Sequence, residues 1–464
     1  MQRSKEGKGT EMEREKLGSR LGFILISAGC AIGIGNVWKF PYVAGQYGGG
    51  VFLFFYLVFL VILGLPVMTM EFAAGRAAGT SPARLLRRLE PDDSRWHWYT
   101  PCILAGNWLL MMFYTVVTGW MLRYFCDMLT GQFLHATQDQ VSAHYLDMLA
   151  NPGPLVFFTV LVILAGFAVC ARGVQAGLEK VTKWMMGALL VIMVILAVNS
   201  LLCAGAAEGV RYLFIPDFER ARQIGFGSVI AAAMNQAFFT LSLGIGAMAI
   251  FGSYIGKERR LFGESVNVAV LDTFVAITAA LIVIPSCFAY GVQTTAGPGL
   301  IFVTLPNIFA EMPMGRLWGS LFFLFLSFAA FSTILAVFEN IISSTMDLTG
   351  WTRKKTCLIC AAAMILLSLP CALGFNLLGG LQPLGAGSTI MDLEDFLVSN
   401  ILLPLGSLVF VIFCTWKQGW GWNRFIEEAN TGTGLAFPRW ARIYCKYVLP
   451  VIIAVILITG ILPA

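Results

Sequence analysis

Several short stretches of this 464-residue chain carry residue types and spacings suited to binding a small ion or a zwitterion. From Ala28 to Tyr56 it reads A-G-C-A-I-G-I-G-N-V-W-K-F-P-Y-V-A-G-Q-Y-G-G-G-V-F-L-F-F-Y, with seven glycines and a proline in a segment apolar enough to cross a membrane. A second interruption, Ser242-Leu243-Gly244-Ile245-Gly246, falls inside another apolar run. Helices are expected to break at both places. Backbone unwound at membrane depth must satisfy its N–H and C=O groups somewhere, and a bound ion or zwitterion supplies those partners. Glycines also serve close helix packing, so alone they leave a site and a packing seam as alternatives. Asp272, in V-L-D-T-F-V, is a carboxylate within an apolar segment, and such an acid is a functional candidate by default. The competing reading is a protonated or helix-end-paired acid. Ser332-Thr333 puts vicinal hydroxyls in a further apolar run, where they either ligate a cation or bond the i−4 carbonyl of their own helix.

The elements that must position these residues are membrane spans. A composition of 58% hydrophobic and 12% charged residues, with a mean hydropathy of +0.77, excludes a set of soluble domains. A spanning helix needs roughly 20 mostly apolar residues, which predicts about eleven spans and an all-α integral membrane protein. They lie near 21–45, 51–75, 98–128, 153–171, 178–204, 225–256, 266–292, 312–347, 356–373, 389–415 and 441–462. The charged leader 1–20 precedes no small-residue cleavage site, so it reads as a retained cytoplasmic segment rather than a signal peptide. That orientation puts about 25 of the 31 basic residues on the cytoplasmic side or its helix ends. The net charge of +5 follows from this bias, and no basic stripe interleaved with aromatics suggests nucleic acid. The cysteines are scattered through spans, and Cys357-x-x-Cys360 has redox spacing without companion ligands. Short tails and the lack of a glycosylation sequon fit a prokaryotic inner membrane.

The two glycine interruptions are five spans apart, the pattern of an inverted-repeat transporter with its site where the helices unwind. The expected organisation is a five-helix repeat at 21–204, an extracellular connection at 205–224, a second repeat at 225–415, a cytoplasmic loop at 416–440 and an eleventh helix at 441–464. The uncharged outer loop 293–311 is expected to fold back as a lid, with a lipid-stabilised re-entrant segment as the alternative.

G-x-G-N-V-W-K-F-P-Y followed by a glycine run resembles the first-span signature of neurotransmitter:sodium symporters. Matches continue in order through Glu71-Phe72 to Gly75-Arg76, Phe113-Tyr114 to Trp120, Gln236 to Gly246, Ala329 to Thr333 and Glu394-Asp395-Phe396, so the resemblance covers essentially the whole chain. It implies eleven helices in two inverted repeats with helices 1 and 6 discontinuous, and sodium-driven amino-acid transport in the manner of the bacterial hydrophobic amino-acid transporters. A first Na⁺ would be held by Ala31, Asn36, Thr240 and Asp272, and a second by Gly29, Ile32, Ala329, Ser332 and Thr333. The substrate carboxylate would meet N–H groups at Gly33 to Gly35 and the Tyr114 hydroxyl; its ammonium would meet carbonyls near Ala31, Phe239, Thr240 and Ser242. Glycine at 33, where biogenic-amine members carry aspartate, implies an α-amino acid. Leu110, Phe239, Ile245, Thr333 and Val337 would line an uncharged side-chain pocket.

The same resemblance implies an outer gate of Lys39 and Asp395 with Phe239 as a lid, and an inner gate of Arg14, Asp347, Ser253 and Tyr254. Lys39 stands where arginine is usual, and an ammonium lacks the planar fork that grips a carboxylate. Leu17 replaces the leader's usual tryptophan, and Gly187 replaces a proline ten residues after Gly177. Tyr56, Gln236, Thr240 and Asp272 approximate the chloride position of animal members, where Asp272 would supply the negative charge internally. The resulting expectation is a sodium-coupled importer of an amino acid, with two Na⁺ ions, no organic cofactor, no enzymatic activity and partners limited to substrate, Na⁺ and bilayer. A proton-coupled transporter and a transporter-like sensor or channel are the alternatives. No P-loop and no H-E-x-x-H motif is present.

Overall fold

The computed structural model describes residues 17–292 and 299–461, which are overwhelmingly helical. Among them the only extended pairings are isolated bridges, Gly49 with Pro216 and Arg259 with Thr433. The membrane elements are α1 (Arg20–Ala31), α2 (Gly35–Gln46), α3 (Gly50–Ala78), α4 (Trp96–Thr130), α5 (Pro152–Cys170) and α6 (Val174–Leu202). They continue as α7 (Phe226–Thr240), α8 (Ala247–Gly252), α9 (Leu261–Ala289), α10 (Gly315–Thr349), α11 (Arg353–Leu373), α12 (Ile390–Thr415) and α13 (Arg439–Ile461). Nine of the described helices are long and apolar enough to span alone, and α1 with α2 form a tenth span bent by 57°. The sixth expected span is the interrupted pair α7 and α8.

Local chemistry explains both interruptions. Ser19 caps α1 by accepting from Gly22 N at 3.0 Å, and the helix ends where Ile32 turns extended at ψ 93. Between α7 and α8 the backbone reaches positive φ at Ser242 (50°), Gly244 (97°) and Gly246 (70°). An added Cβ on Gly244 would sit 2.1 Å from the Leu403 carbonyl oxygen, so glycine is required there by both conformation and space.

The interrupted helices lie at the centre of the bundle. α1 packs against α9 and α10, and α10 runs along α4. α10 is buried along most of its length, whereas α13 turns Val451, Val455 and Ile458 outward, as a helix facing lipid does. α6 passes through Gly187 without a break, its irregularity confined to a wide turn at Val174–Glu179. The loop helix Leu300–Glu311 packs onto the protein: Phe302 stacks on Tyr145 at 5.9 Å and meets the edges of Trp38 and Trp120, each at 5.8 Å. This portion of the loop is buried against protein. Residues 293–298 of the expected lid, like Arg14, lie outside the described residues.

Candidate ion and substrate site

Ending α1 at Ala31 redirects the amides that a continuing helix would use. Gly33 N donates to Asn36 Oδ1 at 3.3 Å and Ile34 N to the Tyr114 hydroxyl at 2.8 Å, leaving the carbonyls of Gly29 and Cys30 without their i+4 donors. Asn36 N turns to Gly33 O at 3.0 Å, which frees Ile32 O as well. Ser332 and Thr333 of α10 face these oxygens. Ser332 Oγ lies 3.0 Å from Gly29 O, 3.4 Å from Ile32 O and 2.8 Å from Ala329 O. Thr333 Oγ1 lies 3.1 Å from Gly29 O and 3.3 Å from both Cys30 O and Ile32 O. Each hydroxyl has one proton, so this buried knot holds more acceptors than donors. A cation that prefers oxygen ligands corrects that imbalance.

A second polar knot surrounds Asp272 of α9. Asn36 Nδ2 donates to Asp272 Oδ1 at 2.8 Å and to its carbonyl at 3.2 Å, while Thr240 Oγ1 donates to Oδ2 at 3.1 Å. Gln236 Nε2 donates to Gly35 O at 2.9 Å, tying α7 to the start of α2. Among the described residues, the Tyr56 and Thr273 hydroxyls and Gln236 Oε1 are buried without a hydrogen-bond partner. Ala31 is buried as well. A fully buried carboxylate amid such groups favours bound positive charge.

The space between these knots is shaped by glycine. A Cβ on Gly33 would lie 2.1 Å from the Tyr114 hydroxyl and 2.6 Å from Thr333 Oγ1, and one on Gly35 would lie 3.0 Å from the Phe239 ring. No side chain fits at either position without displacing a neighbour. Ser242 Oγ reaches Cys30 O at 3.4 Å across the two breaks. Leu110, Ile245 and Val337 are all buried.

The model of the sodium:neurotransmitter symporter family matches residues 14–144 and 138–463. The chain belongs to that family. This symporter is 32% identical to an uncharacterized sodium-dependent transporter of Bacillus subtilis, over 88% of its own length and 89% of the relative's. It is 25% identical to the sodium-dependent serotonin transporter of Drosophila melanogaster, over 98% of its length and 77% of that protein's. Its structure is similar to the crystal structure of MhsT in complex with L-phenylalanine, with a TM-score of 0.86 and 35% identity, covering 97% of this chain and all of the other. The symporter is therefore a multi-pass membrane transporter, of a family of transporters rather than enzymes.

Of the residues expected to form an outer gate, the symporter's Lys39 Nζ sits 4.0 Å above the Phe239 ring. Asp395 accepts from Ser399 at 2.7 Å, and among the described residues no ion pair joins it to Lys39. A compact ammonium finds the aromatic face in place of the carboxylate. Of the residues expected to form an inner gate, Asp347 accepts from Ser81 N at 2.8 Å, Tyr254 donates to Glu339 at 2.8 Å, and the Ser253 hydroxyl donates to Ile250 O at 2.6 Å. Leu17 N reaches Tyr254 O at 3.5 Å.

Several polar residues outside the sequence-derived site hold it in place. Glu71 Oε1 accepts from Gly244 N at 2.5 Å inside the second break. Glu339 pairs with Arg353, whose Nε also donates to Cys170 O at 2.7 Å. Glu179 receives Gly18 N at 2.8 Å and the Ser19 hydroxyl at 3.0 Å, fastening the start of α1 to α6. Asn107 and Asn340 meet at the carbonyl of Ile245. The available signal was the placement of amides and acids inside apolar spans.

Proposed function

We propose that this symporter couples the inward Na⁺ gradient to import of a hydrophobic L-amino acid by alternating access, with two Na⁺ ions per substrate. The observation carrying the proposal is the single break after Ala31, which frees carbonyls toward Ser332-Thr333 and turns the Ile34 N–H toward the Tyr114 hydroxyl. Carbonyls and hydroxyls suit Na⁺, and N–H groups beside a phenol suit a carboxylate. The first Na⁺ belongs at Ala31, Asn36, Thr240 and Asp272, and the second at Gly29, Ile32, Ala329, Ser332 and Thr333. The L-phenylalanine held by MhsT supports an α-amino acid, as does the exclusion of any side chain at residue 33. Leu110, Ile245 and Val337 carry no charge, and they favour an apolar side chain. The organisation that goes with this reading has repeats at 21–204 and 225–415, a cytoplasmic leader and an inner-membrane location.

The test is uptake of a panel of hydrophobic amino acids into proteoliposomes under an inward Na⁺ gradient. Replacing Na⁺ with choline is expected to abolish accumulation. Asp272 is a fully buried acid, which gives proton coupling its specific support. Uptake that survives choline but collapses without a proton gradient would establish that alternative and overturn the two sodium sites.

A further inference from the structure

Asn107 and Asn340 stand one helical turn from Leu110 and Val337, on α4 and α10 respectively. Both amides are buried, at 1% and 0% exposure, and both converge on one main-chain atom of the second break. Asn107 Nδ2 donates to Ile245 O at 2.9 Å and to Ile103 O at 2.8 Å. Asn340 Nδ2 donates to Asn107 Oδ1 at 2.9 Å and to Ile245 O at 3.4 Å, and Asn340 Oδ1 accepts from Ser344 at 3.3 Å. Every amide hydrogen of the pair is therefore engaged within the protein. The Ile245 side chain is held from a different direction: its Cγ2 lies 2.8 Å from where a Cβ on Gly106 would stand. A cavity of about 30 Å³ borders the same two amides and is lined also by Ser344 and Thr345.

We infer that Asn107, Asn340 and Gly106 set how large a substrate side chain the symporter accepts, by fixing the depth at which Ile245 closes the pocket. This rests on the proposed assignment of Leu110, Ile245 and Val337 to the side-chain pocket. An unwound segment has no helical ladder to hold its position, so the carbonyl clamp supplies it. With the amides saturated by one another, a substrate with a polar tip gains no partner there and loses its own hydration, whereas an apolar tip loses nothing. The three residues are positioning residues, since they act through Ile245.

Opposite displacements of Ile245 test the inference. Asn340→Ala or Asn107→Ala releases the carbonyl and lets the floor retreat toward the adjoining cavity, favouring bulky side chains. Gly106→Ala pushes Ile245 into the pocket, favouring small ones. The readout is the ratio of inhibition constants for tryptophan and valine against labelled substrate at saturating Na⁺, together with the Na⁺ concentration for half-maximal uptake. Relative to the unmodified protein, the ratio is expected to move about tenfold toward tryptophan in the asparagine variants and about tenfold toward valine in Gly106→Ala, with the Na⁺ dependence unchanged. A merely structural role lowers uptake of all substrates in proportion and leaves the ratio alone. An unmoved ratio in Gly106→Ala, or a shift in the same direction for both classes, overturns the inference. If no asparagine variant folds, Gly106→Ala alone decides it. Failure of the unmodified protein to bind any hydrophobic amino acid would instead refute the proposed function, a distinguishable result.

Discussion

The side chains around the first break divide into those of the proposed cation sites and those of the proposed carboxylate site, and on that proposal the two groups should respond differently to substitution. Tyr114→Phe removes only the hydroxyl that accepts Ile34 N at 2.8 Å. A hydrogen bond to a charged group contributes about 1.5–3 kcal/mol, so substrate KM is expected to rise at least about tenfold with a smaller change in Na⁺ half-saturation. Asp272→Asn should do the reverse, because it removes the fixed negative charge that Asn36 and Thr240 surround. Paired titrations of uptake against substrate and against Na⁺ check both, and equal effects on the two titrations would contradict the division. Ser332-Thr333 stood out as vicinal hydroxyls in an apolar run, with ion ligation and an i−4 bond both open, whereas Asn36 and Thr240 were singled out only through the resemblance to the symporter family. The position of Lys39 over Phe239 was not, since a lysine stem reaches many partners and only packing selects among them.

At the scale of elements, the two interruptions are unlike in their construction. The first leans on hydroxyls, Tyr114 from α4 and Ser332-Thr333 from α10, whereas the second leans on a carboxylate and two amides: Glu71 from α3, Asn107 from α4 and Asn340 from α10. Gly244→Ala places a Cβ 2.1 Å from Leu403 O at a φ of 97°. The left-handed backbone costs roughly 1–2 kcal/mol, and overpacking against α12 adds about 1–3 kcal/mol. A clear fall in the melting temperature of the detergent-solubilised protein is expected, with loss of uptake. Ala at Gly187, where an added Cβ would meet nothing within 4 Å outside its own helix backbone, provides the matched control and should leave the melting temperature near that of the unmodified protein. The breaks themselves were readable from glycine spacing, and Glu71 was readable as an acceptor for the unwound backbone of the second, but its two asparagine supports were not, because they come from two separate spans.

For the whole molecule, the buried acid at Asp272 bears on which ions accompany transport. Asp272, which Thr240 and Asn36 hydrogen-bond, is proposed to supply the negative charge that an added anion would otherwise bring. Exchanging chloride for gluconate is accordingly expected to leave Na⁺-driven uptake in proteoliposomes unchanged. A strict chloride requirement in the unmodified protein would defeat this expectation. By itself the sequence determined the membrane class, the span order, the breaks near Ala31 and Gly244, and the presence of an acid at Asp272 and hydroxyls at Ser332-Thr333 within apolar spans. These follow from apolar run length, from glycine's conformational freedom and from the rarity of polar groups in spans, all local properties of the chain. Only the tertiary structure decided that Asn107 and Asn340 clamp Ile245, that Glu339 takes Arg353, and that Glu179 holds the start of α1. Asn107 and Ile245 are 138 residues apart, and Gly18 and Glu179 are 161 apart. Such pairings depend on which helices meet and at what height, and no periodicity in the chain encodes that.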